Sequence, residues 1–111
     1  MTDSLTRVAA IQMVSTPSVE ENIAVAKRLI ADAARQGATL VLLPEYWAIM
    51  GLHENDKVAL AEQVDAGPIQ SFMADAAREH RVWLIGGTLP LASPLADKVL
   101  NTMMEIGRAH V

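Results

Sequence analysis

Apolar positions along the chain fall into two kinds of spacing, and the order in which the two kinds alternate predicts the class of fold. Val8-Ala9-Ala10-Ile11-Gln12-Met13-Val14 is a short apolar run with little alternation, closed by Ser15-Thr16-Pro17-Ser18, and predicts a strand buried on both faces. Ser18 and Glu21 have the capping-box spacing, and Val19, Ile23, Ala26, Ile30 and Ala33 then recur three and four apart up to Gly37, so an amphipathic helix follows. Leu40-Val41-Leu42-Leu43 predicts a second strand that stops at Pro44, a residue without a ladder donor. Between Ala48 and Gly67 the pattern weakens, leaving a short helix over Lys57 to Gln63 with Glu54-Asn55-Asp56 as its cap. From Pro68, the positions Ile69, Phe72, Met73, Ala76 and Ala77 form a second helical stripe, with Gln70, Asp75, Arg78 and Glu79 opposite. Val82-Trp83-Leu84-Ile85 predicts a third buried strand closed by Gly86-Gly87, followed by a loop from Leu89 to Asp97 and a fourth strand from Val99 to Met104.

Strand, helix, strand, helix, strand is an α/β order, and right-handed crossovers would lay the strands parallel with helices on at least one face. Two helices do not suffice to cover both faces of so apolar a sheet, so the unit reads as unfinished. Composition agrees with a packed core: of 111 residues 51% are hydrophobic and 20% charged. Nine Lys plus Arg against thirteen Asp plus Glu give a formal charge of -4, which supplies no electrostatic reason to bind nucleic acid or an acidic membrane. There is no cysteine, which removes disulfides, thiolate metal sites and any Cys nucleophile within these residues. Met1-Thr2-Asp3-Ser4 lacks the basic start of a signal peptide, and no apolar run approaches the roughly 20 residues of a membrane span, so a cytoplasmic location is expected.

In open α/β sheets the working groups gather at the carboxyl ends of strands, where this chain carries Glu45-Tyr46-Trp47 and Gly86-Gly87-Thr88. Glu45 is the one acid placed there. The Leu40 to Pro44 run and the rings of Tyr46 and Trp47 would hold its carboxylate out of water, a setting that suits it to accept a proton near neutrality. The glycines would let a neighbouring backbone or a ligand approach closely. A Pro-Glu pair also opens helices, with the acid sited for the dipole, and position alone leaves both readings open. His53, His80 and His110 share no metal-ligand spacing, and His80 suits a helix end. No Walker A loop, Gly-x-Gly-x-x-Gly or Gly-x-Ser-x-Gly is present. Lys57 and Lys98 read as solvated, and Met103-Met104 as strand core.

Around Glu45 the chain resembles the amino-terminal part of the nitrilase, or carbon-nitrogen hydrolase, superfamily. The resemblance rests on Val8-Ala9-Ala10-Ile11-Gln12-Met13, Asn22, Gly37-Ala38 before Leu40-Val41-Leu42-Leu43-Pro44-Glu45, Gly67-Pro68, Gly86-Gly87-Thr88 and Asn101-Thr102, and covers residues 7 to 104. Tyr46-Trp47 after Pro-Glu is similar to the small amidase branch, with its omega-amidase-like and deaminated-glutathione-amidase-like enzymes. The resemblance implies an αββα sandwich, homodimers or larger homo-oligomers, and a Glu-Lys-Cys mechanism without metal or organic cofactor on a small amide or nitrile. Glu45 matches the general base, which activates the Cys for attack on an amide carbonyl or nitrile carbon while Lys and a backbone N–H steady the oxyanion.

The family's Lys and Cys lie downstream of the strand begun by Leu100-Asn101-Thr102-Met103, and Lys98 precedes it, so neither role is assigned within this chain. These residues alone are therefore expected to be inactive. A partial hydrolase domain is expected over 1–104, and Glu105-Ile106-Gly107-Arg108-Ala109-His110-Val111 reads as a non-native tail, 105–111. Back-translated as GAG ATC GGA AGA GCA CAC GTC, that tail spells part of a common sequencing-adapter sequence, and any other codons would sink the idea. The competing expectation is a complete, non-catalytic α/β module that binds a small ligand or partner through Gly86-Gly87 and the strand ends.

Overall fold

The computed structural model describes residues 5–51, 56–64, 66–95 and 98–107. Four strands form one sheet in the order β1 (Val8–Ala10), β2 (Leu40–Glu45), β3 (Trp83–Ala92) and β4 (Val99–Ile106). Helix α1 (Val19–Arg35) joins β1 to β2; α2 (Asp56–Ala59) and α3 (Pro68–His80) lie between β2 and β3. The first three strands are parallel, as the α/β order predicts, with Ala9 beside Val41 and Val41 beside Leu84. The fourth departs from that expectation: β4 runs antiparallel to β3, from Leu84↔Ile106 to Ala92↔Val99. Its cause is the connection, which is far shorter than the dozen or so residues a parallel crossover requires.

Local chemistry explains the helix ends. Ser18 Oγ accepts the Glu21 N–H at 3.2 Å, which is the first half of the predicted capping box. The second half is rerouted through Thr16, whose hydroxyl accepts the Ser18 N–H at 3.1 Å and donates to Glu21 Oε2 at 3.0 Å. At the other end Gly37, at φ 93°, reverses the chain in a conformation that a Cβ would oppose, and the Arg7 guanidinium donates to the Gln36 carbonyl there. Helix α3 starts at Pro68, as expected, and ends at Arg81 in the left-handed region. The helix expected over Lys57 to Gln63 shortens to α2, and Glu54 and Asn55 lie outside the described residues.

Two strands extend past their predicted stops. β2 passes through Pro44 to Glu45, because β1 has ended: Ile11 N–H to Leu42 O at 2.9 Å is the last bond across, and the next position facing that side is Pro44. β3 passes through both glycines and takes in Leu89 to Ala92, placed in a loop by the sequence pattern. β4 correspondingly crosses residue 104, with Glu105 opposite Ile85 and Ile106 opposite Leu84; residues 108–111 lie outside the described set.

The core lies on one side of the sheet. Ala26 and Ile30 of α1 and Ile69, Met73, Ala76 and Ala77 of α3 meet Val41, Leu43, Leu84 and Leu89, and burying each large side chain there contributes on the order of 2 kcal/mol. The opposite side is open, contrary to the expectation of strands buried on both faces: Val8 is 62% exposed, Leu42 41%, Trp83 38% and Met103 65%. Met104 packs against the core, whereas Met103, its neighbour on the other side of the pleat, does not. No helix among the described residues is long and apolar enough to cross a membrane.

Candidate functional site

Glu45 is the last residue of β2, at the carboxyl end of a strand flanked by β1 and β3, and its in-register partner is Thr88. The sequence places it correctly at a strand end, yet its surroundings differ from the expectation. Its side chain is exposed, not held out of water between two aromatic rings. The next residue explains why. Tyr46 adopts φ 53°, a left-handed conformation uncommon for a residue with a Cβ, and the chain turns sharply there. Trp47 is thereby directed into the helix-side core, where its ring centroid lies 5.7 Å from that of Phe72 at an interplanar angle of 49°, and Tyr46 is only half-buried.

The loop after Glu45 is pinned from two directions. On the β3 side, the Tyr46 N–H is shared between the Thr88 carbonyl and hydroxyl oxygens, each at 3.2 Å. On the α1 side, Ser15 Oγ donates to the Trp47 carbonyl at 2.7 Å, and Asn22 Nδ2 donates to the carbonyls of Ala48 and Thr16, both at 2.8 Å. Asn22 Oδ1 accepts the Thr16 N–H at 2.8 Å, and the Met50 N–H reaches the Thr16 carbonyl at 3.0 Å. Composition and apolar spacing gave Asn22 no role. The signal was its position: it falls four residues before Ala26 within the buried stripe, where a polar side chain must find partners.

Beside Glu45, β3 carries a β-bulge. Gly86 pairs with Met104 and Leu89 with Thr102, so between those pairs β3 has one residue more than β4. Toward β2 the register is unbroken, with Gly86 beside Leu43 and Thr88 beside Glu45. The close approach expected of the glycines is made by Gly87, whose α-carbon packs directly on the carbonyls of Leu43 and Pro44.

Other sequence candidates lie away from this cluster or outside the described residues. His80 ends α3, with its Nε2 3.5 Å from Glu79 Oε2. His53 and His110 lie outside the described residues, and Lys98 is exposed near the start of β4. Among the described residues no three His, Asp or Glu side chains converge in a way that would hold a metal ion.

The chain and its fold are similar to known proteins. A family model described as carbon-nitrogen hydrolase matches residues 7–109. A deaminated glutathione amidase of Synechocystis is 38% identical over 110 residues, covering 92% of this chain and 40% of that protein. A chloroplastic omega-amidase of Arabidopsis thaliana is 34% identical over 101 residues, covering 86% and 26%. Among solved structures, the Caenorhabditis elegans NitFhit protein superposes with a TM-score of 0.82 at 31% identity, over 94% of this chain and 25% of that one. The chain thus spans between about a quarter and two fifths of the length of these relatives. On the family match and these identities, the chain belongs to the carbon-nitrogen hydrolase family.

Proposed function

We propose that Glu45 is the general base of a carbon-nitrogen hydrolysis that proceeds through a thioester on a small carboxamide or nitrile. One observation carries the reading: in a chain of this family, the carboxylate of a Pro-Glu pair stands open at the carboxyl end of a strand flanked by two parallel neighbours, and the loop that follows it is hydrogen-bonded from both sides. On an amide, Glu45 takes the proton of a cysteine thiol, and the sulfur forms a bond to the carbonyl carbon as the carbonyl electrons move to oxygen. A lysine and a backbone N–H steady that oxyanion. The oxyanion collapses, the C–N bond breaks, and the nitrogen leaves as ammonia with the proton Glu45 carried. Water then gives its proton to Glu45 and adds to the thioester carbon; collapse releases the carboxylic acid as Glu45 returns that proton to the departing sulfur.

The names of the relatives support this substrate class, since they include amidases and a nitrilase of Pyrococcus abyssi. A Glu-to-Gln mutant of an amidase of Nesterenkonia sp. that shares the fold carries the product of Michael addition of acrylamide at its active-site cysteine. The 111 residues themselves contain no cysteine, so the thiol has to come from polypeptide outside them, and alone they should release no ammonia. The complete enzyme is proposed to be a cytoplasmic homodimer or larger homo-oligomer. Glu45→Gln in a complete enzyme carrying this sequence should keep the fold and assembly while lowering kcat by about 10²- to 10⁴-fold. Retention of most turnover would remove Glu45 from the base role.

A further inference from the structure

The sequence marks Gly86-Gly87-Thr88 as a strand stop, whereas in the structure this stretch is the part of β3 that lies against Pro44 and Glu45. Three observations separate the roles of its residues. First, the positive-φ glycines among the described residues are Gly37 and Gly67, so Gly87 is not required by backbone handedness. What Gly87 supplies is space. A Cβ built on it would press into the carbonyl group of Pro44 and stand 2.6 Å from the Leu43 carbonyl oxygen, and these are main-chain atoms fixed within the sheet.

Second, Gly86 is different in kind. A Cβ there would meet the thioether of Met73, with Sδ at 2.8 Å, and Trp47 Nε1 at 3.4 Å. A methionine end has rotatable bonds with which to move aside. Third, Thr88 offers both its carbonyl and its hydroxyl oxygen to the first N–H after Glu45, that of Tyr46, whose left-handed backbone persists only while its surroundings hold it. The bulge belongs to the same device: its extra residue is taken up toward β4, so that the β2 side can stay in register with Glu45.

We infer that Gly87 and Thr88 form the seat that positions Glu45: Gly87 lets the β3 backbone close on Pro44, and Thr88 fixes the turn at Tyr46 that leaves the carboxylate open. They are positioning residues, acting through Glu45, and the inference rests on Glu45 being the base. A carboxylate displaced by about 1 Å should still permit substrate binding but lose proton transfer, a loss of about a hundredfold.

The test uses a complete enzyme carrying this sequence, with five variants compared by kcat, KM and thermal melting. Gly87→Ala should lower kcat about a hundredfold with KM little changed, whereas Gly86→Ala should keep kcat near that of the parent. Thr88→Val should lower kcat by up to about tenfold, the worth of one hydrogen bond, and Thr88→Ser should restore it. Should Gly87→Ala fail to fold, the two Thr88 variants decide the matter alone. The inference is overturned if Gly87→Ala turns over like the parent, if both glycine variants lose kcat equally, if Thr88→Ser is as impaired as Thr88→Val, or if the losses fall only in KM. Glu45→Gln in the same assay separates the two levels. If it abolishes turnover while the seat variants retain theirs, the base stands and the seat falls; if it retains turnover, the base assignment falls and the seat with it.

Discussion

The indole of Trp47 is fully buried beside Phe72, yet its Nε1–H has no acceptor among the described residues. Burying a ring of this size is strongly favourable, while an unpaired buried donor costs about 1–3 kcal/mol, so the residue gives up part of what its packing contributes. Asn22 shows the opposite arrangement. It is equally buried, but both of its amide ends are engaged, with Thr16 and Ala48. A consequence follows that hydrophobicity alone would invert. In a complete enzyme, Trp47→Phe should cost less than about 2 kcal/mol, because the unpaired donor leaves with the lost ring, whereas Trp47→Ala should cost about 3–5 kcal/mol. Asn22→Leu, although it places a more apolar side chain in a buried slot, should cost more than Trp47→Phe by stranding the Thr16 N–H and the Ala48 carbonyl. Unfolding midpoints in urea measure the order, and a Trp47→Phe variant less stable than Asn22→Leu would refute it.

At the scale of elements, α3 depends on a residue outside itself. Its N-cap, Gly67, offers no side chain, and the carboxylate of Glu62 takes over, accepting the N–H groups of Ile69 at 2.6 Å and Gln70 at 3.1 Å and the Gln70 side-chain amide at 3.0 Å. The same residue is bound to the far part of β3, with its N–H on the Pro90 carbonyl at 3.3 Å and its carbonyl taking the Ala92 N–H at 2.8 Å. Glu62→Ala should therefore destabilise by about 1–2 kcal/mol and speed hydrogen exchange at the Ile69 and Gln70 amides, leaving the amides of α1 unchanged. Unaltered exchange at those two amides would contradict the capping role. Helices α1 and α3 are legible in sequence because each carries a full apolar stripe, opened by Ser18 in one and Pro68 in the other, whereas α2 has no such stripe and its bounds shift. The apolar spacing puts Gln70 on the polar face of α3 and leaves Glu62 unmarked, because both are buried through partners that no periodicity reveals. Strand ends were misread for a related reason. Pro44 and Pro90 look like terminators, yet Pro44 faces the space past the end of β1, and Pro90 lies beyond the last β2 pairing, Glu45↔Thr88, on the side where Glu62 takes over. The position of Glu45 follows from the strand pattern; its exposure does not, since it depends on the left-handed turn at one residue, Tyr46.

Taken as a whole, the molecule is a slab about 18 Å through its shortest dimension, the depth of one sheet and one helix layer. Val8, Leu42, Trp83 and Met103 form the bare side of that slab, and the three-residue β1 closes one edge only briefly. Apolar rows and strand edges of this kind drive association when nothing covers them. In the αββα sandwich implied by the family resemblance, a second sheet would cover this side. The 111 residues produced alone should accordingly self-associate and bind a hydrophobic dye, as seen by light scattering coupled to size-exclusion chromatography. Leu42→Thr together with Met103→Thr should reduce that association by making the bare side more polar. In a complete enzyme the same pair should lower the melting temperature instead, because there the two side chains would be losing buried contacts. Opposite signs in the two settings distinguish a covered face from a merely greasy surface. A monomeric, sharply melting 111-residue protein, or a double variant with no cost in the complete enzyme, would show that nothing packs against this side.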